Sequence, residues 1–374
     1  MSRFLQLHFL TFYPPSNVNR DDTGAPKTAT VGGVTRLRIS SQALKRAWRT
    51  SPVFTKTLEG HMGQRTQRLA EEIFTHLRGK DINEKEATEI SREIAKAFGK
   101  VKEEKPQKET ADDKKEKEDK KAKKEKVVNT LLTEQLVFIS PDEFAAAYDM
   151  ADKMAAGEKI DPVKEKEAAL LFKADTAVDI GLFGRMLADT PTRNREAAAQ
   201  VAHAITTHRV TVEDDYYTAV DDLKTAATDS GAGFIGEAGF GSGVFYLYLC
   251  INLDLFKKNL GPQADETLMN KALAALIEAA ATVTPSGKQN SFAAHARAGY
   301  ILAEKGDEQP RTLAGAFAKP VTGGDLMDES VKALGRFRED LSTIYGAGCS
   351  KDFEVSVGSK EKKTLKDLIK FCQL

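Results

Sequence analysis

What the chain holds little of sets the first limits. Of its 374 residues only three are cysteine: Cys250, Cys349 and Cys372. They are odd in number, far apart and form no CxxC pair, which excludes a disulfide framework and predicts free thiols in a reducing cytoplasm. There is no stretch of ~18 apolar residues, so no segment reads as a membrane span and no membrane partner is expected. The opening MSRFLQLHFLTFYPP is short and alternating, with no cleavage-like site behind it, and reads as a strand, not a signal peptide. Lysine plus arginine (55) balance aspartate plus glutamate (55), so indiscriminate attraction to polyanions is excluded and any RNA or DNA contact must be focused. Catalytic signatures are missing too: no GxSxG, no HExxH, no P-loop. GFGSG at Gly239–Gly243 lacks GxGxxG spacing and a following lysine, and it runs into a strand. His203 and His208 are five apart, poorly spaced to share a metal on one helical face. Binding without catalysis, cofactor or metal is the reading these absences favour. Asp21 and Asp22 are the acids left to consider, either as braces of their loop or as a metal-holding or basic pair.

What is present concentrates in Val34–Arg49, VTRLRISSQALKRAWR. Its first half alternates, Arg36 and Arg38 against Leu37 and Ile39, the period of a strand with one wet face. Ser40 and Ser41 stand where a helix begins, and either hydroxyl is suited to cap a free N–H. Within the helix Gln42, Lys45, Arg46 and Arg49 share one face, Ala43, Leu44, Ala47 and Trp48 take the other, and Pro52 closes it. Thr23–Leu58 contains no acid while Lys27, Arg36, Arg38, Lys45, Arg46, Arg49 and Lys56 are basic. A solvated helix face is the plain alternative; a capped N-terminus with a basic stripe behind it is also a phosphate site. The polar loop before it is placed to carry Arg20 and Lys27 to the same ligand.

Taken in order, Arg3–Tyr13 is a first strand of a half-buried sheet, ended by Pro14-Pro15. Residues 57–174 read as a mostly helical insertion: amphipathic helices over Arg65–Arg78 and Glu84–Phe98, and helix-like patterning over Thr130–Phe138, Pro141–Ala156 and Val163–Lys173. Lys100–Lys126 is almost wholly charged and reads as a spacer. Ala174–Leu187 returns to β-compatible character and ends in Gly184-Arg185-Met186. An exposed Met186 beside Arg185 is suited to wedge between bases; a core Met closing a strand is the other reading. Arg195–His208 reads as an Ala-rich helix, Thr211–Gly241 as a glycine-flexed hairpin with apolar tips, and Val244–Leu253 as the central strand. Gln263–Val283, Gly324–Tyr345 and Lys360–Phe371 read as helices, and Lys288–Tyr300 as a final strand. The order predicts an α+β fold with helices on one face of the sheet. A ferredoxin-like or RNA-recognition-type core with insertions fits best, its open face suited to a single strand.

VNRDD (Val18–Asp22), RISSQALKRAWR (Arg38–Arg49), DIGLFGRM (Asp179–Met186), AHAITTH (Ala202–His208), DYYTAVDDL (Asp215–Leu223), FGSGVFY (Phe240–Tyr246) and INL (Ile251–Leu253) together resemble the CasC-type backbone subunits of the type I-E CRISPR Cascade complex. The resemblance implies a modified RNA-recognition palm (residues 1–56, 175–210 and 242–374), helical fingers (57–174) and a β-hairpin thumb (211–241). It implies that several copies line up along one CRISPR RNA in a helical filament with other Cascade subunits, presenting the guide for pairing with target DNA, and that the subunit is not a nuclease. Carried over by motif, Arg20, Lys27, Ser40, Gln42, Lys45, Arg46 and Arg49 hold phosphate and sugar, with Arg38 and Arg185 beside them. Met186 interrupts base stacking, and Tyr216, Tyr217, Val220 and Ile235 form the thumb's apolar tip. Two other readings stay open: a metal-dependent ribonuclease using Asp21 or Asp22, and an RNA-recognition module acting alone on cellular RNA.

Overall fold

The computed structural model describes residues 3–102, 131–163, 170–187, 191–219 and 234–374; the charged tract beyond Lys102 and the expected thumb residue Val220 lie outside them. The chain forms two compact units, one of Met1–Leu58, Ala199–Asp254 and Glu266–Leu374, the other of Glu59–Ala198 and Leu255–Asp265. The strands are β1 (Phe4–Ser16), β2 (Thr28–Val31), β3 (Val34–Ile39), β4 (Gln64–Thr66), β5 (Val137–Ile139), β6 (Ala199–Val201), β7 (Ala204–Thr206), β8 (Glu213–Ala219), β9 (Phe234–Asn252), β10 (Ala298–Gly306) and β11 (Lys351–Ser356).

The first unit is built on a nine-stranded sheet in the order β11-β10-β1-β9-β7-β3-β2, with β6 and β8 also paired to β9. All its pairings are antiparallel. β1 lies between β10 and β9, and its ladder to β9 runs from Phe4↔Asn252 to Tyr13↔Gly243. Pro14 and Pro15 do not end the strand. The chain bulges there and pairing resumes at Ser16↔Gly241, because proline lacks the N–H a regular ladder needs.

Both faces of this sheet are covered, where the alternation of β1 predicts one wet face. Leu5, Leu7 and Phe9 are fully buried on one side, and His8 and Leu10 are fully buried on the other. The His8 side is closed by Leu313, Phe317 and Leu334, which pack on Leu10, Tyr246, Tyr300 and Leu302. Leu334 belongs to the helix Leu326–Tyr345, so the sheet has no open face of aromatics on this side.

His8 tolerates this burial because its polar atoms are all engaged. Glu304 is ionised and can only accept, so the His8 ring proton sits on Nε2 and is donated to Glu304 Oε2 at 3.3 Å. His8 Nδ1 then accepts from the Tyr246 hydroxyl at 2.8 Å, whose oxygen accepts the Leu313 N–H at 3.0 Å. Arg311 and Arg338 also donate to Glu304, at 2.9 and 2.8 Å. Burial raises the Glu304 pKa, yet hydrogen bonds and charge from His8 and Arg311 outweigh it and hold the carboxyl well below the usual carboxylate range. Burial lowers the His8 pKa against the pull of Glu304.

Arg36, predicted on a wet face, is fully buried. Its guanidinium donates to the Val31, Thr206 and Phe317 carbonyls at 3.4, 3.0 and 3.0 Å. The β2–β3 turn beside it uses Gly32 and Gly33, both at positive φ, as a two-residue turn requires. A Cβ on Gly32 would stand 1.8 Å from the Ala318 carbonyl oxygen.

Other local expectations change. Arg195–His208 is not a helix: it supplies β6 and β7, whose pairing with β9 overrides the helix propensity of alanine. Ala174–Leu187 is not a strand but carries the helix Val178–Phe183. Thr130–Phe138 contributes to β5, which pairs with β4 at Arg65↔Phe138, and the helix expected from Arg65 starts at Leu69. Pro52 opens a second short helix, Pro52–Thr57, at its first turn, where a missing N–H costs nothing. β10 begins only at Ala298, and the last strand, β11, lies at the sheet edge.

The second unit packs the helices Leu69–Arg78, Glu84–Lys96 and Pro141–Ala155. Leu69, Ile73, Ile90, Ile94, Phe144 and Met150 meet in its core. The three cysteines are unpaired, and no helix of the described residues is long and apolar enough to cross a membrane.

The Glu304 cluster generates a pH prediction. A depressed carboxylate and a depressed imidazole both favour the fold above their unfolded pKa values, ordinarily 4.5 and 6.5; both contributions fade as pH falls. Thermal melts should therefore show the unfolding temperature dropping from about pH 6.5 downward and more steeply below about pH 4.5. Glu304→Gln should cost about 3 kcal/mol at neutral pH, since it takes the counter-charge from Arg311 and leaves Arg338 with Asp352 alone, and should flatten the acid limb.

Candidate nucleic-acid interface

The helix Ser41–Arg49 begins where β3 ends, and its start is held from two directions. Ser40 adopts extended backbone and its Oγ accepts the Ala43 N–H, while its own N–H donates to Asn19 Oδ1 at 2.8 Å. The Ser40 side chain, predicted to hold phosphate, is buried, and its oxygen accepts the capping N–H. No acid stands in the first turn, and Arg46 and Arg49 stand in the last. A negative ligand therefore meets no repulsion from this element.

The helix presents three stripes, not the two its sequence suggests. Leu44 and Trp48 are buried in the core. Gln42, Lys45 and Arg49 form a second stripe, with Gln42 exposed and the two cations partly so. Ala43, Arg46, Ala47 and Thr50 form the third, which lines a groove of about 860 Å³. Ala43 and Ala47, expected to pack down, thus border open space, and Arg46 is exposed between the two outer stripes.

The opposite wall of the groove is the loop after β1, including Arg20, Asp21 and Asp22, together with Thr282–Gly287 and His295. Arg20 is exposed, and a lone bridge to Pro26 ties its backbone. Asp21 Oδ1 accepts from the Thr23 N–H and hydroxyl and from the Ala25 N–H, at 2.9, 2.7 and 3.0 Å. The Thr23 hydroxyl, ahead of the backbone donors, holds its pKa low. Asp21 is therefore a brace of this loop. Among the described residues, no group of three His, Cys, Asp or Glu is arranged to hold a metal.

Lys27 and Arg38 meet across the β2–β3 edge, where the Arg38 N–H donates to the Lys27 carbonyl at 2.8 Å. The Arg38 guanidinium also donates to His203 Nδ1 at 2.9 Å. His208, by contrast, is turned inward between the Arg209 carbonyl and the Val244 N–H.

β8 and the first part of β9 make a two-stranded ribbon paired from Glu213↔Phe240 to Ala219↔Phe234. Directly paired residues share a face and neighbours along a strand alternate. Tyr217 and Phe234 therefore lie on one face, their rings 6.2 Å apart, and Tyr216 and Ile235 lie on the other. All four are exposed. Tyr217 sits over its partner Gly236, where a Cβ would come within 2.5 Å of the ring. Phe234 is an apolar surface residue absent from the predicted set, although its alternation with Ile235 was readable. Glu213, Asp214, Asp215 and Glu237 make the ribbon acidic, so it offers rings, not phosphate contacts.

In the second unit Arg185 and Met186 part company. Met186 is 83% exposed, whereas Arg185 is 4% exposed. Arg185 Nη1 donates to both Glu143 oxygens, at 2.8 and 2.6 Å, and to the Phe138 carbonyl at 3.1 Å. Glu143 in turn caps the helix Pro141–Ala155 with Ser140 and accepts the Phe172 N–H. The expected RNA contact by Arg185 gives way to a buried brace, because its partners lie 42 and 47 residues away in sequence.

Residues 5–370 match the family described as CT1975-like protein. A chain from a solved "CRISPR RNA-guided surveillance complex, pre-nicking" is similar at TM-score 0.81 and 28% identity, covering 99% of this chain and 98% of that one. A chain from a second, "CRISPR RNA-guided surveillance complex", reaches 0.68 at 24% identity, covering 98% and 94%, a likeness of fold. No curated protein sequence matches.

The division between Arg185 and Met186 is measurable. Arg185→Met should lower stability by about 3 kcal/mol, the cost of taking the close guanidinium partner from a buried carboxylate and leaving it Arg195 at 3.9 Å. Met186→Ala should stay within about 0.5 kcal/mol. Denaturant unfolding of both variants checks the pair.

Proposed function

Because the chain belongs to the CT1975-like Cas family, we propose that it is the guide-RNA-binding backbone subunit of a type I-E Cascade-like surveillance complex. In this reading copies assemble along one CRISPR RNA with sister subunits, and the guide's bases are presented to target DNA. The observation that carries it is the stretch Thr23–Leu58, which contains no acid and supplies Lys27, Arg38 and the helix bearing Gln42, Lys45, Arg46 and Arg49, on a chain of zero net charge. Contacts to phosphate supply affinity without reading sequence, which suits a subunit that must accept any guide. The likeness to a chain of an RNA-guided complex across nearly the whole length adds support.

The core is read as a modified ferredoxin-like palm. In support, β10, β1, β9 and β7 lie side by side in that order, all antiparallel, with the helix Ser41–Arg49 between β1 and β7 in the chain and the helix Glu266–Thr282 between β9 and β10. An RNA-recognition motif acting alone would lay bases on the open sheet; here Tyr246 and Tyr300 are buried under Phe317 and Leu334, which favours the helix and loop side. The protein acts by binding: Asp21, the acid nearest Arg20 in the chain, is occupied in bracing its loop. Met186, Tyr216, Tyr217, Phe234 and Ile235 supply the apolar surfaces that interrupt stacking or meet a neighbouring copy, each stacked base adding about 1–3 kcal/mol.

Lys45→Ala with Arg49→Ala should weaken single-stranded RNA binding about equally for unrelated sequences, and reduce the dependence of log K on log salt by roughly 1–2. Filter binding with sister subunits present measures both; losses that differ between sequences would overturn the proposal.

A further inference from the structure

His203 was not among the residues expected to meet RNA, yet the sheet sets it beside two that were. Thr28 pairs with Leu37 and Val31 with Val34, so Lys27, one residue earlier, falls opposite Arg38 on the same face. On the other side Arg38 pairs with Ile205 and Ile39 with Ala204. His203, two residues before Ile205, is therefore the diagonal neighbour of Arg38 on that face, and the next step of the register places it across from Ser40, at the start of the basic helix.

The hydrogen bond fixes the tautomer. A guanidinium only donates, so His203 Nδ1, 2.9 Å from Arg38 Nη1, is the acceptor, and the ring proton is on Nε2. The ring is exposed. Three kinds of donor thus converge on one face: the Lys27 ammonium, the remaining guanidinium N–H groups of Arg38 and the imidazole Nε2–H.

We propose that Lys27, Arg38 and His203 form one phosphodiester-binding cradle, in which His203 donates to a phosphate oxygen and becomes protonated when RNA is bound. This rests on the guide-RNA reading above and names a residue and a pH response within it. The charged groups acting on the ring come from the two neighbouring strands, Arg38 and, before β2, Lys27. With no anion present, partial burial and then the charges of Arg38 and Lys27 hold the His203 pKa below its ordinary value. A phosphate lying between these groups reverses the balance, since an opposite charge within hydrogen-bond reach favours the imidazolium; the added proton goes on Nδ1, so Arg38 gives up its bond to that nitrogen and turns the freed N–H to the phosphate. RNA binding then takes up a proton, and affinity rises as pH falls.

Fluorescence anisotropy with the full chain and labelled single-stranded RNA tests this between about pH 8 and pH 6, at fixed salt. The natural chain should bind about 3–5-fold more tightly at the acid end, the change that an upshift of about one pKa unit produces over this range. His203→Gln should lose most of that gain, and His203→Lys, whose charge is fixed, should give a flat profile at least as tight as the natural chain. A His203→Gln profile that tracks the natural one, with binding otherwise intact, overturns the cradle alone. Failure of the natural chain to bind RNA at any pH and low salt overturns the reading on which the cradle rests.

Discussion

The pairing of β1 with β9 is the constraint from which the first unit is built. Its ladder from Phe4↔Asn252 to Tyr13↔Gly243 joins residues more than two hundred positions apart, and β10 and β7 attach to its two sides. Once formed, it decides which side chains of β1 and β9 face each layer. Leu5, Leu7 and Phe9 go to one face, and His8 and Leu10 to the other. It also decides that Tyr246 stands beside His8, which lets the Glu304 cluster close. Without that cluster, a histidine and a glutamate on a buried face would have no partners, and burying them would be strongly unfavourable.

Arginine is used in two ways here, and the distinction organises the molecule. Arg36, Arg185 and Arg195 are sunk in the protein and held by carbonyls and carboxylates. Arg20 and Arg46 stay exposed on the groove. The first group spends its directed N–H donors on holding chain segments together; the second leaves them turned outward. A zero net charge conceals this sorting, because composition counts both groups alike.

Much of the surface was legible in the chain and much of the interior was not. The capped helix after Ser40, its basic stripe and the two-stranded ribbon are local patterns, set by spacing within a dozen residues. Arg185 was misread because Glu143 and Phe138 reach it only through tertiary folding. Arg195–His208 was misread as a helix because alanine's preference is weak and a neighbouring central strand outweighs it. The covering of the sheet is likewise tertiary: Gln6 and His8 look like a wet face until distant Glu304, Arg311 and the Leu326–Tyr345 helix supply partners and a lid.

β9 spans nineteen residues without a break, and its two halves serve different ends: Gly241–Asn252 lies in the sheet, Phe234–Phe240 in the ribbon. Since side chains alternate strictly along a strand, adding or deleting one residue near the junction would exchange the two faces of one half relative to the other. Tyr217 would lose its glycine seat while Val244 and Tyr246 kept theirs, or the reverse. Length variation within this lineage should therefore be excluded from 234–252.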